Sequence, residues 1–250
     1  MDEPLISPRR RRGIYLLPNL FTTAALFAGF YAILAADQGH FEAAALAVFT
    51  AMVLDGFDGR IARLTNTQSD FGAEYDSLSD MVAFGIAPAL VVYHWTLQSA
   101  GKLGWLAAFV YTAAAALRLA RFNTQVGIAD KRYFQGLPSP AAAAIVAGGV
   151  WIGDVYAIPR DLWLVALTAT LLTAGAGLLM VSNFRYYSFK DLELRGRVSF
   201  ILAVLVMLTF AIVSINPPVV LFSGFLVYAV SGPVWTLVRR RQHRERRRTS

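Results

Sequence analysis

The chain reads as an all-α integral membrane protein of about eight transmembrane helices, with both termini in the cytoplasm. Three observations lead there. Apolar runs near 20 residues long recur along the 250-residue chain, about the length needed to cross a hydrocarbon core of about 30 Å. Only 16% of the residues are charged and mean hydropathy is +0.51, where a soluble domain would carry about 25% charge. Lys and Arg fall almost wholly on one set of helix ends, the pattern that fixes membrane orientation.

Taken in order, residues 1–13 form a basic cytoplasmic segment ending in Arg9-Arg10-Arg11-Arg12. The apolar run 14–36 is too long for a signal-peptide core and has no cleavage site, so it is a retained first span. Pro18-Asn19 near its start predicts a break or re-entry at the interface, with Asn19 either a polar group serving the site or, the favoured reading, a helix cap. Seven further spans are expected at 41–62, 74–97, 103–121, 139–158, 162–181, 197–215 and 218–238. Connections are short, with no Gly/Ser linker, composition shift or internal repeat, so 14–238 is a single transmembrane domain. A basic cytoplasmic tail, 239–250, completes the chain.

With the N-terminus in the cytoplasm, every Lys and Arg except Lys102 and Arg160 lies on the cytoplasmic side. The net charge of +7 could suit nucleic acid, but its placement at helix ends and in the tail suits anionic membrane lipid. No nucleic-acid partner is expected. The absence of cysteine excludes disulfides and thiolate chemistry.

The stretch 55–80 holds the unusual chemistry. It reads Asp-Gly-Phe-Asp-Gly-Arg-Ile-Ala-Arg from Asp55 to Arg63 and Gly-Ala-Glu-Tyr-Asp-Ser-Leu-Ser-Asp from Gly72 to Asp80. Asp55, Asp58, Glu74, Asp76 and Asp80 stand in or beside segments apolar enough to span a bilayer, where ionisable groups are costly and mark function. Asp55 and Asp58 are three apart, and Asp76 and Asp80 four apart. Each spacing stacks two carboxylates on one helix face. Facing carboxylates repel unless a cation joins them, and an all-oxygen acidic site suits Mg²⁺, Mn²⁺ or Ca²⁺. Gly59, Ala62 and Gly72 remove bulk from these faces, and Arg63 offers a fixed charge to a phosphate.

Each part has a plainer explanation. The aspartates could hold a structural cation or pair with Arg60 and Arg63, and the small residues could be helix-packing positions. All of these would have to hold together to account for the whole pattern. A divalent-metal transporter could also place carboxylates in the membrane, but it would be expected to show broken helices or inverted repeats at the midplane.

The run Asp55-x-x-Asp58-Gly59-x-x-Ala62-Arg63, eight residues, then Gly72-x-x-x-Asp76-x-x-x-Asp80 resembles the complete signature of the CDP-alcohol phosphatidyltransferase family. That resemblance implies phosphatidyl transfer from CDP-diacylglycerol to an alcohol, with release of CMP. It implies a divalent metal, Mg²⁺ or Mn²⁺, as two ions held by Asp55, Asp58, Asp76 and Asp80, with Asp80 also the general base. Asp58, Gly59, Ala62, Arg63 and Gly72 then correspond to positions that hold the CDP moiety. A homodimer is implied as well. A bacterial-type inner membrane is expected, and the charge count places the site near its cytoplasmic face, where Asp55 to Arg63 close the second span and Asp76 to Asp80 open the third.

Two later stretches narrow the acceptor. Arg118-Leu119-Ala120-Arg121-Phe122-Asn123 ends the fourth expected span, and Gly136-Leu137-Pro138-Ser139-Pro140 comes after a loop with Lys131 and Arg132. Positive-side anchoring explains the arginines and a helix start explains the prolines, yet Arg118 falls within an apolar segment on the acidic side. With Leu17-Pro18-Asn19-Leu20-Phe21-Thr22 and Tyr187-Ser188-Phe189-Lys190, these stretches are similar to the phosphatidylserine synthase branch of the family. The similarity implies L-serine as acceptor; its carboxylate calls for cationic groups near the site, and Arg118 and Arg121 are the candidates to receive it. Glycerol 3-phosphate or an inositol phosphate would also call for cations and stand as alternative acceptors.

Overall fold

The computed structural model describes residues 8–65, 69–124, 133–187 and 200–246. Almost all of them are helical. The order is α1 (Pro8–Asp37), α2 (Phe41–Leu64), α3 (Asp70–Asp80), a π-helical segment (Met81–Ile86), α4 (Ala87–Trp95), a 3₁₀ turn (Leu97–Ala100) and α5 (Lys102–Thr124). Then come β1 (Tyr133–Gln135), α6 (Ser139–Val155), α7 (Trp163–Val181), β2 (Arg185–Tyr187), α8 (Phe200–Ile215) and α9 (Pro217–Arg246). Among the described residues the expected spans are largely helical, and the chain is an all-α membrane protein.

Among the described residues, five stretches are long and apolar enough to cross a bilayer: Pro18–Asp37, Asp70–Trp95, Lys102–Thr124, Trp163–Val181 and Pro217–Leu237. Ser139–Val155 and Val206–Ile215 are apolar but shorter. Helix α2 has the length, 24 residues, and differs in carrying the acidic residues of the 55–63 motif.

The interior is built from alanine. Ala25, Ala28, Ala32 and Ala36 of α1 meet Ala44, Ala45, Val48 and Ala51 of α2, and α6 contributes Ala141 to Ala144 and Ala147, all buried. With no hydrophobic drive between helices in lipid, close backbone approach through small residues supplies the packing. Many bulky side chains point outward: Phe27, Leu34, Trp105, Phe109, Leu171 and Phe210 are all exposed, while Phe84, Trp95 and Tyr111 are among the large ones inside. The α1–α2 corner turns on Gly39 at φ +79°, whose N–H reaches the Ala36 carbonyl at 3.0 Å while His40 N–H reaches Ala35 at 2.8 Å. Such a left-handed close is cheap only for glycine.

Two expectations need correction. Helix α1 runs through Pro18 without a break, so Asn19 is an interior helical residue and not a cap. Membrane helices tolerate proline, and one turn on Thr22 Oγ1 bonds back to the Pro18 carbonyl at 3.2 Å. The third span is not one plain helix: it opens at Asp70 on the N-cap Ser69, and its middle widens into the π segment. The chain also contains a small antiparallel ribbon, with Tyr133 opposite Tyr187, Phe134 opposite Tyr186 and Gln135 opposite Arg185.

The two ends of the bundle differ. At one end Arg160 bonds Asp154 at 2.9 Å and lies over the Phe41 ring at 4.4 Å, and Trp151 donates to Glu42 at 3.4 Å. Asp55 lies 14 residues further along α2, about 21 Å away at 1.5 Å per residue. The acidic motif therefore occupies the opposite end from Arg160.

Candidate active site

Asp55 near the end of α2 and Asp76 and Asp80 on α3 converge. One carboxylate oxygen from each lies within 4.8 Å of the others. The three-and-four spacing explains this from the sequence upward, since α3 presents Asp76 and Asp80 one turn apart toward a single residue of α2. Asp58 is also brought in. It is buried, its carboxyl lies against that of Asp76, and it accepts a hydrogen bond from Thr22 Oγ1 at 2.8 Å.

These residues fit a divalent cation. Among the described residues, Asp76 Oδ1 is buried with no hydrogen-bond partner, a costly condition for a carboxylate oxygen. Three clustered carboxylates with no soft ligand among them match the oxygen preference of Mg²⁺ and related ions.

The surrounding helices fix the cluster. Thr22 of α1 bonds Asp58, and its carbonyl accepts from Ser79 Oγ at 3.0 Å, so α1 is tied to both acidic helices through one residue. Thr23 shares a 2.9 Å hydrogen bond with Tyr75. Asn123 of α5 meets Ser77 at 3.1 Å. Ser69 Oγ caps α3 by accepting from Gly72 N–H at 3.0 Å, and a methyl on Gly72 would sit 3.1 Å from that oxygen and 3.6 Å from Asn19 Oδ1. Asn19 therefore faces the start of α3. Gly59 is exposed, and a methyl there would meet nothing within 4 Å. Glu74 and Arg60 are exposed. The side chains of Ala62 and Arg63 lie outside the described residues, as do Lys131, Arg132 and Ser188 to Lys190.

Arg118 and Arg121 serve different ends. Arg118 Nη1 donates to Ser139 Oγ at 2.6 Å, and its charge acts on Asp80 and Asp55. It ties α5 to the start of α6, near enough to the acidic cluster for its charge to act there. Arg121 donates to the carbonyls of Val181 at 3.0 Å and Ser182 at 3.4 Å, the end of α7, where a cation suits the helix dipole. Pro138-Ser139-Pro140 is indeed a helix start, and its serine is also the partner of Arg118. Sequence reasoning assigned no role to Thr22, Ser77 or Ser139, although each lies inside a stretch it had singled out.

Residues 15–181 match the CDP-alcohol phosphatidyltransferase family. The chain is a member of that family. The matched range contains α2, α3 and the whole acidic cluster, so a phosphatidyltransferase it is, and the transporter alternative falls away. Relatives in this family agree in name. A CDP-diacylglycerol–serine O-phosphatidyltransferase of Helicobacter pylori is 36% identical over 90% of this chain and 94% of its own length. One of Bacillus subtilis is 32% identical over 70% of this chain and 91% of its own. Another, of Methanocaldococcus jannaschii, is 36% identical over 58% of this chain and 63% of its own.

Proposed function

We propose that this phosphatidyltransferase moves the phosphatidyl group of CDP-diacylglycerol to the hydroxyl of L-serine, giving phosphatidylserine and CMP. The convergence of Asp55, Asp76 and Asp80 beside Arg118 is the observation that carries it. A cation site and a positive group at its edge suit a pyrophosphate donor and an acceptor with a carboxylate. The names of the relatives point to the same acceptor.

Asp55, Asp58, Asp76 and Asp80 would hold Mg²⁺ or Mn²⁺, as two ions. When bound, the ions neutralise the charge of the pyrophosphate and of the departing CMP. Gly59 and Gly72, with Ala62 and Arg63, hold the CDP moiety, and the open surface over Gly59 admits it closely. Asp80 takes the proton of the serine hydroxyl as its oxygen attacks the lipid-side phosphorus; the bond to the CMP oxygen breaks, and CMP leaves with the electron pair. Arg118, oriented by Ser139, receives the serine carboxylate, and Arg121 adds positive charge one turn further along α5. The site opens at the cytoplasmic face of a bacterial-type inner membrane, both termini lie on that side, and the enzyme works as a homodimer.

The test is CMP release from CDP-diacylglycerol by the purified protein with Mg²⁺ or Mn²⁺, offered serine, glycerol 3-phosphate, inositol phosphate or no acceptor. Serine-dependent release that EDTA abolishes, and that the Asp80→Asn variant lowers by about 10²-fold or more, is expected. Preference for another acceptor would overturn the roles of Arg118 and Arg121.

A further inference from the structure

The π segment begins at Met81, the residue after Asp80. Its cause lies eight residues beyond Asp80. Pro88, the second residue of α4, has no N–H for the Phe84 carbonyl four residues back, and a proline ring crowds that carbonyl. The helix widens locally, as Ala87 N–H bonding Val82 five residues back records, and restarts at Ala87 as a new helix would, with proline in its first turn. The Phe84 carbonyl is supplied from outside: Tyr111 Oη of α5 donates to it at 2.9 Å. Phe84 and Tyr111 are both fully buried, so no water can substitute. Gly29 of α1 presses on the other side, where a methyl would lie 2.6 Å from Ala83 Cα.

A wide turn changes the phase between the helix before it and the helix after it. Helix α4 buries Ala87, Pro88, Val91, Val92 and Trp95 in the core, which fixes its rotation. One residue of α-helical phase is about 100°. Without the extra residue of the π turn, α3 would be turned by about that angle, and Asp76 and Asp80 would no longer face Asp55. We infer that Pro88 and Tyr111 act together as positioning residues that set the rotation of Asp80 toward the cation cluster. The inference rests on the phosphatidyltransferase site but not on serine as its acceptor.

Tyr111→Phe and Pro88→Ala, singly and together, test it in the full-length protein by Mn²⁺ titration, with CMP release and melting temperature alongside. Tyr111→Phe leaves the Phe84 carbonyl unserved, and about fivefold weaker Mn²⁺ binding is expected from the loss of one such bond. Pro88→Ala gives that carbonyl an in-helix donor. It should fold at least as stably as the parent, bind Mn²⁺ more weakly, and make the added Tyr111→Phe change silent. Pro88→Ala with parental Mn²⁺ affinity would overturn the inference, and so would effects of the two changes that simply add. Should Tyr111→Phe fail to fold, the Pro88→Ala result decides alone. A parent protein that binds Mn²⁺ but releases no CMP would sink the proposed function and leave the role of the π turn standing.

Discussion

A glycine inside a helix normally weakens it, and Gly59 therefore needs a reason to be there. It is exposed, with open space where a methyl would go. Alanine at that position should stabilise α2 by about 1 kcal/mol on helix propensity alone. If the CDP moiety seats against this backbone, Gly59→Ala raises the melting temperature while raising KM for CDP-diacylglycerol about tenfold, or about 1.4 kcal/mol. An unchanged KM would mean that nothing approaches Gly59 closely. The four aspartates were legible because spacing alone assigns residues to helix faces and carboxylates in apolar sequence are rare. Thr22 and Ser139 were not, since a hydroxyl has little cost anywhere in a helix and shows its partner only in three dimensions. Asn19 was misjudged because proline beside it looked like a boundary.

At the level of elements, the spans could be read from composition with ends good to a few residues, whereas the ribbon could not. Strands of three residues show no period, and Tyr133 and Tyr187 are 54 positions apart. The π segment has a sequence signal, Pro88, but one that only tells where a carbonyl is freed, not which group will serve it. The same device recurs in α9. Pro233 lies within that helix, and the Ala229 carbonyl four residues back accepts from Tyr186 Oη of β2 at 2.9 Å. Tyr186 is fully buried, and its ring lies where a side chain on Gly232 would go. Tyr186→Phe is therefore expected to cost about 1–3 kcal/mol and lower the melting temperature, and adding Pro233→Ala should restore it. A single variant as stable as the parent would show that the bond does not hold the ribbon to α9.

For the whole molecule, charge and site geometry make one joint claim about sidedness. Arg60 beside the acidic motif and Lys102 at the start of α5 are both exposed, and the protein has no cysteine. In sealed cells, Lys102→Cys should react with a membrane-impermeant maleimide and Arg60→Cys only after permeabilisation. The reverse pattern would invert the assigned orientation. The alanine interior carries a different consequence, for how the gene tolerates change. Most proteins are injured when a large core side chain is cut down and a hole is left behind. Here many buried positions of α1, α2 and α6 are alanine, with almost no volume to lose, and damage at those positions must come from growth. One added methylene at Ala32, Ala44 or Ala142, each with no exposed surface, forces helices apart at a cost of about 1–3 kcal/mol. The alanine codon's nearest neighbours include valine and threonine, so the positions that look least informative in the sequence are those where drift is most constrained.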